Sequence, residues 1–219
     1  MLSRLAPTGA LILAAVLATG ALAAPGGEIR SDYPKLFNTN ETRSTNLKPF
    51  PKWTEMLMRH LAEERKGDPP CTATPFERCP IQKWKEFLDS QQGKPPREQI
   101  DAVNRHLNLH RYVLDIVNYG VEDYWATPRE FALKDGDCED FAIAKFISLK
   151  ILGWSDADLR VVVLQDLNLK VAHAVLAVYF EGQALILDNQ TRQVLASEAI
   201  RHYRPYYSVN ESGWWLHKP

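Results

Sequence analysis

"KDGDCEDFAIAKFISLKILGWSDADLRVVVLQD", residues 134–166, contains the change of period on which the fold turns. Gly136 ends the element before it. A helix is predicted from Asp137 or Cys138 to about Leu152, with Ala142, Phe146 and Leu149 as its buried stripe and Gly153 as its stop. Beyond Gly153 the helical spacing gives way to β-branched runs. "LRVVVLQD", "KVAHAVLAVYF" and "QALILDNQ" are separated only by "LNL" and "EG", the pattern of an antiparallel meander.

Upstream the pattern is helical. "WATPREFAL" offers Thr127 as N-cap, Pro128 at the first helical position and Glu130 to close a capping box. Residues 50–66 carry Trp53, Met56, Leu57, His60 and Leu61 at helical spacing. Residues 81–91 do the same with Ile81, Trp84, Phe87 and Leu88. Residues 95–121 read as one long third helix with Ile100, Val103, Leu107, Tyr112, Val113 and Ile116 on its apolar positions. Downstream, "TRQVLA" and "YRPYYSV" are expected as edge strands. Helices first and strands after predict an α+β fold, with N-terminal helices packed on a C-terminal antiparallel β-sheet.

The N-terminus reads as an export signal. Arg4 precedes the apolar run "ALILAAVLATGALA", and Ala21-Leu22-Ala23 fits a cleavage site. The run is shorter than the roughly 20 residues a spanning helix needs. An uncleaved anchor is the other reading. The expected organisation is a signal peptide over 1–23, an extended polar arm over 24–48 and one domain over 49–219. The expected location is the periplasm, with no direct membrane insertion of the mature chain. The net charge of -1 falls to -2 once Arg4 is removed. No basic run interleaves with aromatics, so nucleic acid is not expected as a partner. Three cysteines in an exported chain raise the question of pairing. Cys71 and Cys79 flank "TATPFER" and are either a local loop staple or two unrelated thiols.

Cys138, His173 and Asp188 are the residue types of a thiol nucleophile, its base and the carboxylate that orients the base. A helix start favours a thiolate. Neighbouring strands can bring His173 beside Asp188. Each also has an ordinary structural reading: a small buried cysteine, a satisfied core histidine, and a turn-forming aspartate. The acids around Cys138 should raise its pKa, which raises the question of what offsets them. Asp137, Glu139 and Asp140 either cap the helix and complement its dipole or, with Asp135, supply hard oxygen ligands to Ca²⁺ beside Gly136. The spacing is not that of an EF-hand. Trp125, Trp214 and Trp215 are either core or partner-binding aromatics.

"TPREFALKDGDCEDFAIAKFISLKILG", then "AHAVLAV" and "LILDN", resembles the bacterial transglutaminase-like cysteine proteinase family, and within it the LapG-type periplasmic adhesin-cleaving proteases. The resemblance implies a papain/transglutaminase-like fold. It also implies Cys138 as nucleophile, His173 as general base and acid, and Asp188 as orienting carboxylate. Calcium is the implied cofactor, with Asp137 and Glu139 at calcium-linked positions, Asp140 a further ligand and Asp135 an additional candidate. The implied activity is calcium-dependent cleavage of a large surface adhesin near its N-terminus, which disperses biofilm. An inner-membrane receptor that senses cyclic-di-GMP is the implied inhibitory partner. Two other readings stay open: acyl transfer of the transglutaminase type, and a calcium-dependent binding module without catalysis.

Overall fold

A computed structural model of the chain describes residues 33–71 and 79–219, so the predicted signal peptide and the "TATPFER" segment lie outside the described residues. Among the described residues, six α-helices and seven strands follow in order. They are β1 (Asn40–Ser44), α1 (Pro51–Lys66), α2 (Pro80–Gln91), α3 (Pro96–Leu107), α4 (Asp115–Asn118), α5 (Pro128–Lys134), α6 (Cys138–Ile151), β2 (Leu159–Asp166), β3 (Val171–Phe180), β4 (Gln183–Leu187), β5 (Leu195–Ala196), β6 (Tyr203–Asn210) and β7 (Gly213–Lys218). The strands form one antiparallel sheet ordered β1-β7-β6-β2-β3-β4-β5. This is the α+β architecture expected from the order of helical and strand patterns, and it fits the papain/transglutaminase-like fold that the resemblance implies. No helix among the described residues is long and apolar enough to cross a membrane.

Period-2 alternation divides the core between the sheet's faces. Leu159, Val161, Leu176, Val178, Leu185 and Leu187 pack with the helices, while Val162, Leu164, Val175, Ala177 and Tyr179 form a second layer behind. The arm segment contributes to both the sheet and that layer. β1 pairs with β7, and Leu36 and Phe37 lie in the second layer. Arg160 helps hold β1. It is bonded to Glu41 at 2.6 Å and lies 3.7 Å above the Trp215 ring.

α6 is enclosed on all sides rather than along one stripe. Every residue from Asp140 to Leu149 is buried, including Lys145 and Ser148. Ser148 takes the indole N–H of Trp84 at 2.9 Å, which ties α2 to α6. Trp53 of α1 is fully buried and donates to the Asn210 carbonyl at 3.0 Å, joining the helical layer to β6. Trp125 packs edge-on against Trp53 in the same core, and Trp214 packs against Phe50. These tryptophans are therefore packing residues. Cys71 and Cys79 form a disulfide with a Cα separation of 5.7 Å.

The structure departs from the sequence expectations at three further places. The third helix ends at Leu107, and Tyr112 and Ile116 are exposed. The backbone there is taken by a neighbouring segment: Tyr112 bridges Gly136, and Val113 N–H donates to the Gly136 carbonyl at 2.8 Å. The left-handed residue that closes α5 is Asp135, with φ of 62°, rather than Gly136. Gly136 is required for space, because a Cβ there would collide with the Asp140 carboxylate. Finally, β6 is an interior strand between β2 and β7, not an edge.

Candidate active site

The capping box before α5 forms as its residue pattern predicts. Glu130 N–H donates to Thr127 Oγ1 at 3.2 Å, and Thr127 N–H donates to Glu130 Oε2 at 2.8 Å. Asp135 then turns the chain, and Asp137 caps α6, so Cys138 occupies its first helical position. β4 ends at Leu187 opposite Leu176, which leaves β3 without that neighbour at His173 and Ala174. The Cys138 sulfur reaches β3 in this notch, at the Ala174 backbone N–H.

His173 Nε2 lies 3.0 Å from Asp188 Oδ1, and both side chains are buried. The carboxylate is held from every side. Gln190 N–H donates to Oδ1 at 2.9 Å, and the Tyr203 hydroxyl donates to Oδ2 at 2.5 Å. The Asp188 carbonyl takes Asn108 Nδ2 at 2.7 Å. Burial pushes the Asp188 acid up, but the bonds from His173, Gln190 and Tyr203 outweigh it and hold the carboxyl below its usual range. With Nε2 committed to the carboxylate, the imidazole's other nitrogen is the one that can serve a thiol.

The Cys138 thiol donates to Glu139 Oε2 at 3.1 Å. Burial raises its pKa, and the charges of Glu139 and Asp137 raise it further. The Tyr112 phenol lies beside the same sulfur and is pushed upward by burial and by the neighbouring acids.

Those acids belong to a larger cluster. Ligand oxygens of Asp115, Asp137 and Asp140 lie within 4.8 Å of one another, as do those of Asp115, Asp123 and Glu139. Burial, first, raises the Asp137 and Glu139 acids; the charge of Glu139 raises Asp137 further, and that of Asp140 raises Glu139. Burial likewise takes Asp140 up to about 8, against the N–H groups of Ala126 and Asp137 that it accepts at 2.7 and 3.3 Å. Asp140 thus has a structural part at the helix start. Two buried oxygens, Asp115 Oδ1 and Asp137 Oδ1, have no hydrogen-bond partner among the described residues. Buried, unpartnered and acceptor-only, they suit a hard divalent cation such as Ca²⁺. Asp135 stands apart, with its carboxylate engaged by His110 at 2.9 Å and Arg111 at 2.8 Å.

Sequence pattern alone missed Asp115, Asp123, Tyr203 and Tyr112. Asp115 and Tyr112 were hidden inside the stretch read as helix, and Tyr203 inside a presumed edge strand. Only the tertiary arrangement brings them to Asp137, Cys138 and Asp188.

LapG from Legionella pneumophila shares 36% identity over 63% of this chain and 77% of its own, with a TM-score of 0.58. Its calcium-bound structure matches equally, and its EGTA-treated structure matches at 36% identity with a TM-score of 0.59, over 64% of this chain and 77% of its own. No match was found among curated protein sequences. Residues 71–217 match the family model for bacterial transglutaminase-like cysteine proteinases, and the chain belongs to that family.

Proposed function

We propose that this cysteine protease is a calcium-dependent endopeptidase of the periplasm that uses Cys138 as nucleophile, His173 as base and acid, and Asp188 as the orienting group. The observation that carries it is the buried His173–Asp188 pair beside the notch where Cys138 meets β3. His173 takes the thiol proton, and the sulfur attacks the scissile carbonyl. The imidazolium then protonates the leaving amine, and water hydrolyses the thioester. The Cys138 backbone N–H, in the first turn of α6, is the candidate oxyanion donor.

The residues present fit a calcium ion. Asp115 would hold it, either with Asp137 and Asp140 or with Asp123 and Glu139, whose oxygens group around it. When bound, the ion supplies positive charge that offsets the carboxylates beside the thiol. Glu139, engaged by it, would no longer be the thiol's acceptor, and the sulfur would be free to turn to His173. Export, a large surface adhesin as substrate and an inhibitory cyclic-di-GMP receptor complete the proposal. The resemblance to LapG-type proteases supports them.

The test uses residues 24–219 and the N-terminal fragment of the host's largest secreted adhesin, with products weighed by mass spectrometry in calcium and in chelator. One cut, lost on chelation and in C138A, is the expected result. Cleavage by C138A would refute the nucleophile, cleavage that survives chelation would refute the calcium requirement, and products gaining the mass of an amine would mark acyl transfer instead.

A further inference from the structure

The helix-facing side of the sheet continues past the nucleophile, and its last row is uncovered. Val161 of β2 and Leu176 of β3 face the helices, so alternation puts Val163, Gln165, Ala174 and Ala172 on that same side. α6 packs over β2 and β3 and starts at Cys138, whose sulfur reaches β3 at Ala174. Ala174 pairs with Val163 and is buried. One step further out, Ala172 pairs with Gln165, and Gln165 pairs with Arg204 of β6. Ala172 and Arg204 are exposed and Gln165 is half-buried, so the helical cover ends between the two rows. The Tyr206 hydroxyl donates to Gln165 Oε1 at 2.7 Å and fixes that amide on the sheet. The outer row is a shelf that leads from the thiol, across three strands, to a guanidinium.

That guanidinium has no partner. The side chains of Arg204, Lys170 and Arg201 make no hydrogen bond or ion pair among the described residues, and all three are exposed. Backbone bonds gather them at one end of the sheet. Lys170 N–H donates to the Asp166 carbonyl at 2.8 Å, and Leu167 N–H donates to the His202 carbonyl at 2.8 Å. Asp166 does not neutralise them. It is buried, and its Oδ1 takes the N–H groups of Asn168 and Leu169 at 2.8 and 3.0 Å. Glu198, three residues before Arg201, forms no ion pair with it.

We propose that Arg204 is a specificity residue that binds an acidic side chain of the substrate about three or four residues from the scissile bond, with Lys170 and Arg201 adding to the attraction. This rests on the protease reading above and names a feature of its substrate. The spacing follows from the sheet. Two strand steps sideways and two residues outward put Arg204 about 12 Å from Ala174, and an extended peptide advances about 3.3 Å per residue. An arginine fork suits a carboxylate, which it can hold through two parallel N–H bonds. The unpaired cations beside it draw a negatively charged segment towards the shelf before any contact forms.

The experiment uses residues 24–219 with saturating calcium and the N-terminal adhesin fragment, whose cut is first mapped by mass spectrometry. Asp or Glu is expected within about four residues of the cut on one side. Replacing that acid by Lys should lower kcat/KM about fivefold in about 50 mM salt, mainly through KM, and the loss should shrink in about 500 mM. R204E should lose as much on the native fragment and recover on the Lys fragment, which a merely structural arginine would not do. A cut with no acid nearby overturns the proposal, and so does an R204E enzyme that ranks the two fragments as wild type does. Should wild type cut nothing, binding decides: the affinities of C138A and of C138A/R204E for the native fragment are compared in the same two salts. Weaker binding by the double variant would refute the protease reading and leave the Arg204 inference standing, and equal binding would overturn both.

Discussion

Replacing Lys145 by Met should stabilise the protein, and by an amount that depends on pH. Burial takes the Lys145 amine from 10.5 down to about 7, against the attraction of Asp188. In the unfolded chain the amine titrates in its ordinary range near 10.4. Between about pH 7 and pH 10 the unfolded state therefore binds more protons than the folded state, and wild-type stability rises with pH through that window. Below pH 7 the folded state carries the full penalty. A difference of about 3 units is about 4 kcal/mol. Urea denaturation of both proteins at pH 6, 8 and 10, with calcium held constant, measures this directly. The Met variant is expected to be more stable by up to about 4 kcal/mol at pH 6, with the gap closing towards pH 10. Comparison at each pH cancels the other titrating groups, which the two proteins share. A gap that is the same at all three pH values would refute the claim that this amine is buried at an electrostatic cost.

Calcium at 100 times its dissociation constant should add about 2.7 kcal/mol of stability to the wild type and raise its melting temperature. D115N and D137N should lose most of that increment in calorimetry, and an undiminished response would remove those oxygens from the site. D188N should lose nearly all cleavage with little change in substrate binding, whereas Y203F, which deletes one donor to the same carboxylate, should retain more activity in steady-state kinetics. Equal losses from the two would argue against Asp188 as the direct partner of His173. Trp53→Ala removes the fully buried side chain that joins α1 to β6 and should cost about 3–5 kcal/mol in urea melts.

Much of the fold is local chemistry and was legible without tertiary information. Thr127 and Glu130 close their capping box within four residues of each other. The β-branched runs from Leu159 to Leu187 need only short turns to pair as a meander. The chemistry-bearing residues stood out for a similar reason: a cysteine at a helix start, and a histidine and an aspartate in consecutive strand runs. Cys71 and Cys79 showed only that a staple was possible, because pairing depends on geometry that spacing does not carry.

What the tertiary structure alone decided lies where backbone groups find distant partners. The pattern from Asn108 to Val121 is as helical as that before it, yet Tyr112 and Val113 bond to Gly136 and the helix stops at Leu107. That departure carries Asp115 to the acids of α6 and Tyr112 to the thiol. The segment "YRPYYSV" could be recognised as a strand, but its interior place between β2 and β7 brings Tyr203 to Asp188. Lys145 looked like any charged residue on a helix, because one helical pattern cannot reveal that its neighbours enclose every face. Sequence by itself thus determined the order of elements and singled out the candidate reactive residues, which depend on nearest neighbours and chemical type. The partners that orient, charge and neutralise those residues depend on contacts across long sequence separations, and only the folded chain brings them together.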